Sequence, residues 1–113
     1  MTYYPIFVEK QDLEHGCSIF DSELVHLSTS KEEAIDWIKS TDPKKIIELF
    51  SVILPEQIIR VECSDCYNEC FGYREFFTDE ASSIGSDNVR PYRYKIWYAA
   101  FDNEYGLISD FKD

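Results

Sequence analysis

The stretch Ser30-Lys31-Glu32-Glu33-Ala34-Ile35-Asp36-Trp37-Ile38-Lys39-Ser40-Thr41-Asp42-Pro43-Lys44-Lys45-Ile46-Ile47-Glu48-Leu49-Phe50-Ser51-Val52-Ile53-Leu54-Pro55 carries two helix starts and a stop. Ser30 followed three residues later by Glu33 is a capping box: the hydroxyl accepts from the third helical amide while the carboxylate reaches back. Ala34, Trp37 and Ile38 follow at helical spacing. Asp42-Pro43 restarts the pattern, with the carboxylate as N-cap and the proline at the first helical position, where its missing N–H costs nothing. Ile46, Ile47, Leu49, Phe50, Ile53 and Leu54 then form a broad apolar stripe, and Pro55 closes it. The pattern predicts two consecutive helices, the second lying flat on a sheet. The expected core is Trp37, Ile38, Ile46, Phe50, Ile53, Leu54 and Trp97.

Outward from the helices the chain reads as strands. Tyr3 to Glu9 is aromatic and β-branched, with Pro5 favouring an edge or a strand start. Gln11 to Gly16 reads as a turn, and Cys17 to Leu27 as a second strand, bulged or broken at Asp21-Ser22. Beyond Pro55, Gln57 to Cys63 has strand composition, Ser64 to Glu69 is turn-like, and Cys70 to Phe77 is again aromatic, so a hairpin across Asp65 to Asn68 is predicted. Asp79 to Pro91 gathers Ser, Gly, Asp, Asn and Pro, the signature of a long mobile surface loop. Tyr92 to Phe101 alternates, with Tyr94, Ile96 and Tyr98 on one face and Arg93, Lys95, Trp97, Ala99 and Phe101 on the other. Asp102 to Gly106 turns the chain into a last strand, Leu107 to Phe111. The fold class expected is α+β: a mainly antiparallel sheet of about five or six strands with two consecutive helices packed on one face.

The chain has 113 residues, and 44% apolar and 16% aromatic content furnish a core for one domain, residues 1–113. No run approaches the ~18–20 apolar residues of a membrane span. The first residues lack the basic start, apolar stretch and cleavage site of a signal peptide. A reducing cytoplasmic location is therefore expected. Asp and Glu number 22 against 11 Lys and Arg, a net charge of −11. Such a surface repels nucleic acid phosphates and anionic lipid and attracts basic proteins. The bland alternative is acidity for solubility alone.

Cys63, Cys66 and Cys70 have ligand-like spacing, with Cys17, His15 and His26 as candidates to complete a tetrahedral set. A structural or regulatory module stabilised by a metal at Cys63/Cys66/Cys70 is the runner-up reading. The favoured one treats the cysteines as reduced, small apolar residues, with no metal and no cofactor. Both histidines lie in the first third of the chain, and no nucleophile–base pattern or phosphate-cradling glycine loop accompanies them. The chain is accordingly expected not to be an enzyme.

From Arg60 to Glu80 acids outnumber bases by six to two. Glu62, Asp65, Glu69, Glu75, Asp79 and Glu80 stand among Tyr67, Tyr73 and Phe76, and the turn adds Asp12 and Glu14. Carboxylates steer and set register while rings anchor an interface. The expected function is a small acidic binding protein that neutralises or inhibits a basic protein, such as a toxin-immunity protein or a phage-type inhibitor. Its partner would be a nuclease toxin or another nucleic-acid-binding protein, with no direct nucleic acid or membrane contact. The expected partner-binding residues are Glu62, Asp65, Tyr67, Glu69, Tyr73, Glu75, Asp79, Glu80, Asp12 and Glu14.

Overall fold

The computed structural model describes residues 1–14, 19–51, 53–68, 73–81, 83–102 and 106–110, with backbone alone at 19–21, 65–68 and 106–110. The elements run β1 (Thr2–Asp12), β2 (Ile19–Ser28), α1 (Lys31–Ser40), α2 (Pro43–Phe50), α3 (Pro55–Ile59), β3 (Glu62–Asn68), β4 (Tyr73–Ala81), β5 (Val89–Asp102) and β6 (Gly106–Asp110). Every pairing is antiparallel, in the order β2-β1-β5-β4-β3, and β6 pairs with β5 outside that path. The α+β class and the mainly antiparallel sheet are thus as the sequence predicts.

Both helices start where read, though of the capping box only the Ser30 half is seen, the Glu33 carboxylate lying 3.4 Å from His26 Nε2. Ser30 Oγ accepts from Glu33 N at 3.1 Å, and Asp42 Oδ1 accepts from Lys44 N at 3.0 Å with Pro43 opening α2. The second helix is shorter than its apolar stripe. It stops at Ser51, whose N–H still bonds Ile47 O at 2.9 Å, but whose hydroxyl donates to Glu80 Oε1 at 2.5 Å. Ile53 is buried from the irregular chain that follows, while Leu54 is 37% exposed and is not core. Trp37 and Phe50 only pack against the core edge. Trp97, also half-buried, stacks on Phe7 instead.

Pro55 does not merely end a helix; it begins α3 where a strand was expected. Gln57 Oε1 accepts from Leu54 N at 2.9 Å and from Gly85 N at 3.2 Å, and its Nε2 donates to Ser86 O at 3.2 Å. Lys44 Nζ donates to the carbonyls of Ile58, Ile59 and Val61, closing the other end. These bonds satisfy backbone groups that a short helix leaves open. They also pin the loop between β4 and β5, where Gly85 takes φ +73. That loop is shorter than Asp79 to Pro91, because strand structure reaches Ala81 and resumes at Val89.

Two further expectations are corrected. Residues 64–68 are strand and not turn, part of β3 in unbroken register with β4 from Glu62↔Asp79 to Asn68↔Tyr73. The first strand runs on through Asp12, and the irregularities of β2 fall where Val25 and Phe20 are left without a Cα partner, not at Asp21-Ser22.

Period-two alternation decides the faces. Ile6, Val8, Lys10 and Asp12 of β1, Arg74, Phe76, Thr78 and Glu80 of β4, and Tyr92, Tyr94, Ile96 and Tyr98 of β5 are buried on one face. Ala34 and Ile38 of α1 and Ile46 and Ile47 of α2 cover it. Arg74 ties the layers together: its Nη1 donates at 2.7 Å to both Ile38 O and Thr41 O, at the C-terminal end of α1.

Candidate interaction face of the sheet

The face away from the helices has no second layer among the described residues. Its rows cross the sheet. One row is Leu24–Phe7–Trp97, the last two rings stacked at 4.7 Å. The next is Ser22–Glu9–Lys95–Glu75–Cys66, and the next aligns Gln11, Arg93, Phe77 and Ser64. Arg93 Nε lies 3.4 Å from Glu75 Oε2, and Lys95 Nζ sits over the Tyr73 ring at 4.7 Å. Among the described residues the two cations of this face, Arg93 and Lys95, are therefore engaged within it. Leu24, Leu27, Phe77 and Phe101 remain exposed there.

At the end of β3 and β4, Glu62 and Asp79 are direct Cα partners and both are exposed. Like charges directly opposite each other destabilise a sheet. Among the described residues neither carboxylate has an ion pair.

Of the expected binding residues, the structure gathers Glu62, Tyr73, Glu75 and Asp79 on this open face, beside Phe77. Asp65 and Tyr67 hold register positions opposite Phe76 and Arg74, whose side chains are on the covered face. Glu69 lies outside the described residues, as do Cys70, Cys17 and His15.

Two acids must be withdrawn from the interface. Glu80 is 2% exposed. Its Oε1 accepts from Lys10 Nζ at 2.9 Å and Ser51 at 2.5 Å, and its Oε2 from Thr78 and Tyr94, each at 2.8 Å. Lys10 lies over the Tyr92 ring at 4.2 Å. Burial, together with the Glu80 charge, holds the Tyr94 phenol far above its ordinary pKa of 10.0. Burial likewise raises Tyr92, with Asp12 and Glu80 adding to it. A buried carboxylate must be paired and hydrogen-bonded, and this one is saturated. Asp12 is 7% exposed; its Oδ1 caps Glu14 N at 2.9 Å and its Oδ2 meets Arg90 Nη1 at 3.3 Å. Glu14 is exposed, but 3.6 Å from Arg90 Nε.

No family model, curated protein or solved structure matches this chain. Its own residues carry the functional reading.

The cysteine spacing loses its strand-level support. Cys63 pairs with Thr78 and Cys66 with Glu75, positions on opposite faces of β3. Cys63 packs against the core. His26 is stacked on Trp37 with centroids 5.3 Å apart and lies 3.4 Å from Glu33, so it ties β2 to α1. Sequence reasoning placed Arg93 and Lys95 opposite Tyr94, Ile96 and Tyr98, but named neither them nor Phe7 and Phe77 as members of the site. Alternation in β1 and β5 held the signal, since the residues between the buried ones must share the other side.

Proposed function

We propose that this chain is a small acidic, non-catalytic binding protein that neutralises a basic protein. It would act in a reducing cytoplasm, as the immunity partner of a bacterial nuclease toxin or a phage-type inhibitor does. The observation that carries the reading is the exposed Glu62–Asp79 pair, two like charges opposed beside the exposed Phe77 ring. A sheet tolerates such a conflict where it serves something other than stability. An incoming guanidinium or ammonium group would relieve the repulsion, and Phe77 would supply apolar contact next to it. The net charge of −11 adds long-range steering toward a basic surface.

Among the described residues the carboxylate best enclosed by other groups, Glu80, is consumed by Lys10, Ser51, Thr78 and Tyr94, which is the arrangement of a structural ion pair. The test is to isolate the basic partner from the native host and measure association against salt. Reversal of Glu62 and Asp79 to Lys is compared with reversal of Asp36 and Glu48, exposed acids on the helices, so that net charge is matched. The reading expects slower association at high salt with dissociation changing less, and a larger loss for the sheet pair. Equal losses would reduce the interface to bulk acidity. Binding of no basic protein at all would end the proposal.

A further inference from the structure

In the order β2-β1-β5-β4-β3, with β6 on β5, three strands stand at an edge of the sheet among the described residues: β2, β6 and β3. Two of them are blunted. The pairing of β2 with β1 slips twice, and the pairing of the five-residue β6 with β5 slips once, between Ala100 and Phe101. Bulges, shortness and charged side chains are the ordinary means by which a sheet edge avoids accepting another strand. The third edge has neither bulge nor shortness and is guarded only by the charges of Glu62 and Asp65. β3 pairs with β4 without a shift over seven residues, and β4 pairs with β5 without a shift from Arg74↔Ile96 to Ala81↔Val89. Its sequence, Glu62-Cys63-Ser64-Asp65-Cys66-Tyr67-Asn68, contains no proline and no lysine. At about 3.3 Å per residue it offers an edge as long as an ordinary strand.

The charge on this edge selects what it admits. Over its seven residues β3 carries Glu62 and Asp65 and no basic residue. Antiparallel pairing of two copies centred on β3 would set Asp65 against Asp65, and parallel pairing would set Glu62 against Glu62. Like charges across a strand pair disfavour both. A strand carrying lysine or arginine meets the opposite situation, with backbone hydrogen bonds supplying affinity and the acids supplying choice.

We propose that the outer edge of β3 accepts an extended basic segment of the partner as an added antiparallel or parallel strand. This rests on the acidic-binding reading above and specifies how the partner is held. The open face beside Glu62, with Asp79 and Phe77, would then meet side chains of the incoming strand and whatever follows it.

The probe is a seven-residue peptide of alternating lysine and valine, compared with its diastereomer in which every valine is D. Charge and composition are identical, but the diastereomer cannot form a pleated ladder. Backbone amide exchange is followed residue by residue in the unmodified protein. The all-L peptide is expected to slow exchange at alternate amides of Glu62–Asn68 by about ten-fold or more at saturation, and the diastereomer to leave them unchanged. Asp65→Lys should weaken the all-L peptide by about ten-fold while circular dichroism shows the fold retained. Equal binding of the two peptides, with perturbation at Glu75 and Asp79 but no protection along β3, would overturn the added strand and leave the charge-based reading standing. Protection at β2 or β6 in place of β3 would overturn it as well. Failure of either peptide and of any basic protein to bind would remove both.

Discussion

Lys10 and Glu80 form an ion pair 2.9 Å long inside the protein, their side chains 5% and 1% exposed. They are far apart in sequence and meet because β1 and β4 both flank β5. Each sits at a covered position of its strand, Lys10 after Ile6 and Val8, Glu80 after Phe76 and Thr78. Ser51 joins them, accepting from Lys10 at 3.2 Å and donating to Glu80, so the pair also fixes where α2 ends.

Neutralising one partner strands the other charge. Lys10→Met or Glu80→Gln should each lower stability by about 3–5 kcal/mol, the range for breaking a buried pair. The double variant should cost clearly less than the sum, because no uncompensated charge remains. Denaturant titration of the four proteins measures this. Additive losses would show that the two side chains act independently.

Tyr94 gives the pair a pH signature. Its folded pKa is raised above the unfolded value near 10.0, by burial first and by the Glu80 charge second. The neutral phenol is thus the form the fold favours. Its contribution is complete below pH 10.0 and is lost as pH climbs above it, where the unfolded chain releases a proton that the folded one keeps. One such group gives a fall of about 1.4 kcal/mol per pH unit above that point. Tyr94→Phe removes that slope while costing a hydrogen bond at neutral pH. Stability measured at several alkaline pH values in both proteins should show the wild type falling more steeply. Parallel curves would mean that Tyr94 titrates normally.

Arg74 is buried with its guanidinium on carbonyls at the end of α1, Ile38 O and Thr41 O at 2.7 Å. Cations are favourable at a helix C-terminus, more so when partly buried. Arg74→Met keeps much of the volume and loses the donors. It should cost about 2–4 kcal/mol, since unsatisfied carbonyls and lost charge-assisted bonds add. Hydrogen exchange should speed up first in the last turn of α1. A uniform change over the chain would point to general loosening instead of a lost cap.

The helix starts were legible because capping is local chemistry: Ser30 with Glu33 and Asp42 with Pro43 need no distant partner. The faces of β5 were legible because Tyr94, Ile96 and Tyr98 alternate with charged residues. What escaped depended on contacts across the fold. Ile58, Ile59 and Val61 have strand composition, yet α3 forms because Gln57 bonds both Leu54 and the Gly85 loop and Lys44 reaches its far end. Ser64 to Asn68 looks like a turn because an edge strand needs little apolar content. Glu80 and Asp12 count as acids in any composition, but β4 and β1 turn them toward Lys10 and Arg90. Of the candidate site, Glu62, Tyr73, Glu75 and Asp79 were within reach of the sequence; the sheet register that assembles them was not.

That register yields the last prediction. Glu62 and Asp79 are opposed at the exposed end of β3 and β4. If their repulsion is the local cost of a binding site, Glu62→Gln should stabilise the free protein by about 0.5 kcal/mol, and Asp79→Asn by a similar amount. The double variant should gain no more than either single one, since removing one charge already ends the conflict. This non-additivity separates repulsion from general relief of negative charge, which would add. High salt should shrink the gain, because both groups are exposed to screening ions. The same substitutions should weaken the basic partner, so stability and affinity move in opposite directions. Substitutions that leave stability unchanged, or lower it, would show that the two carboxylates do not burden the fold and would take away the observation on which the functional proposal stands.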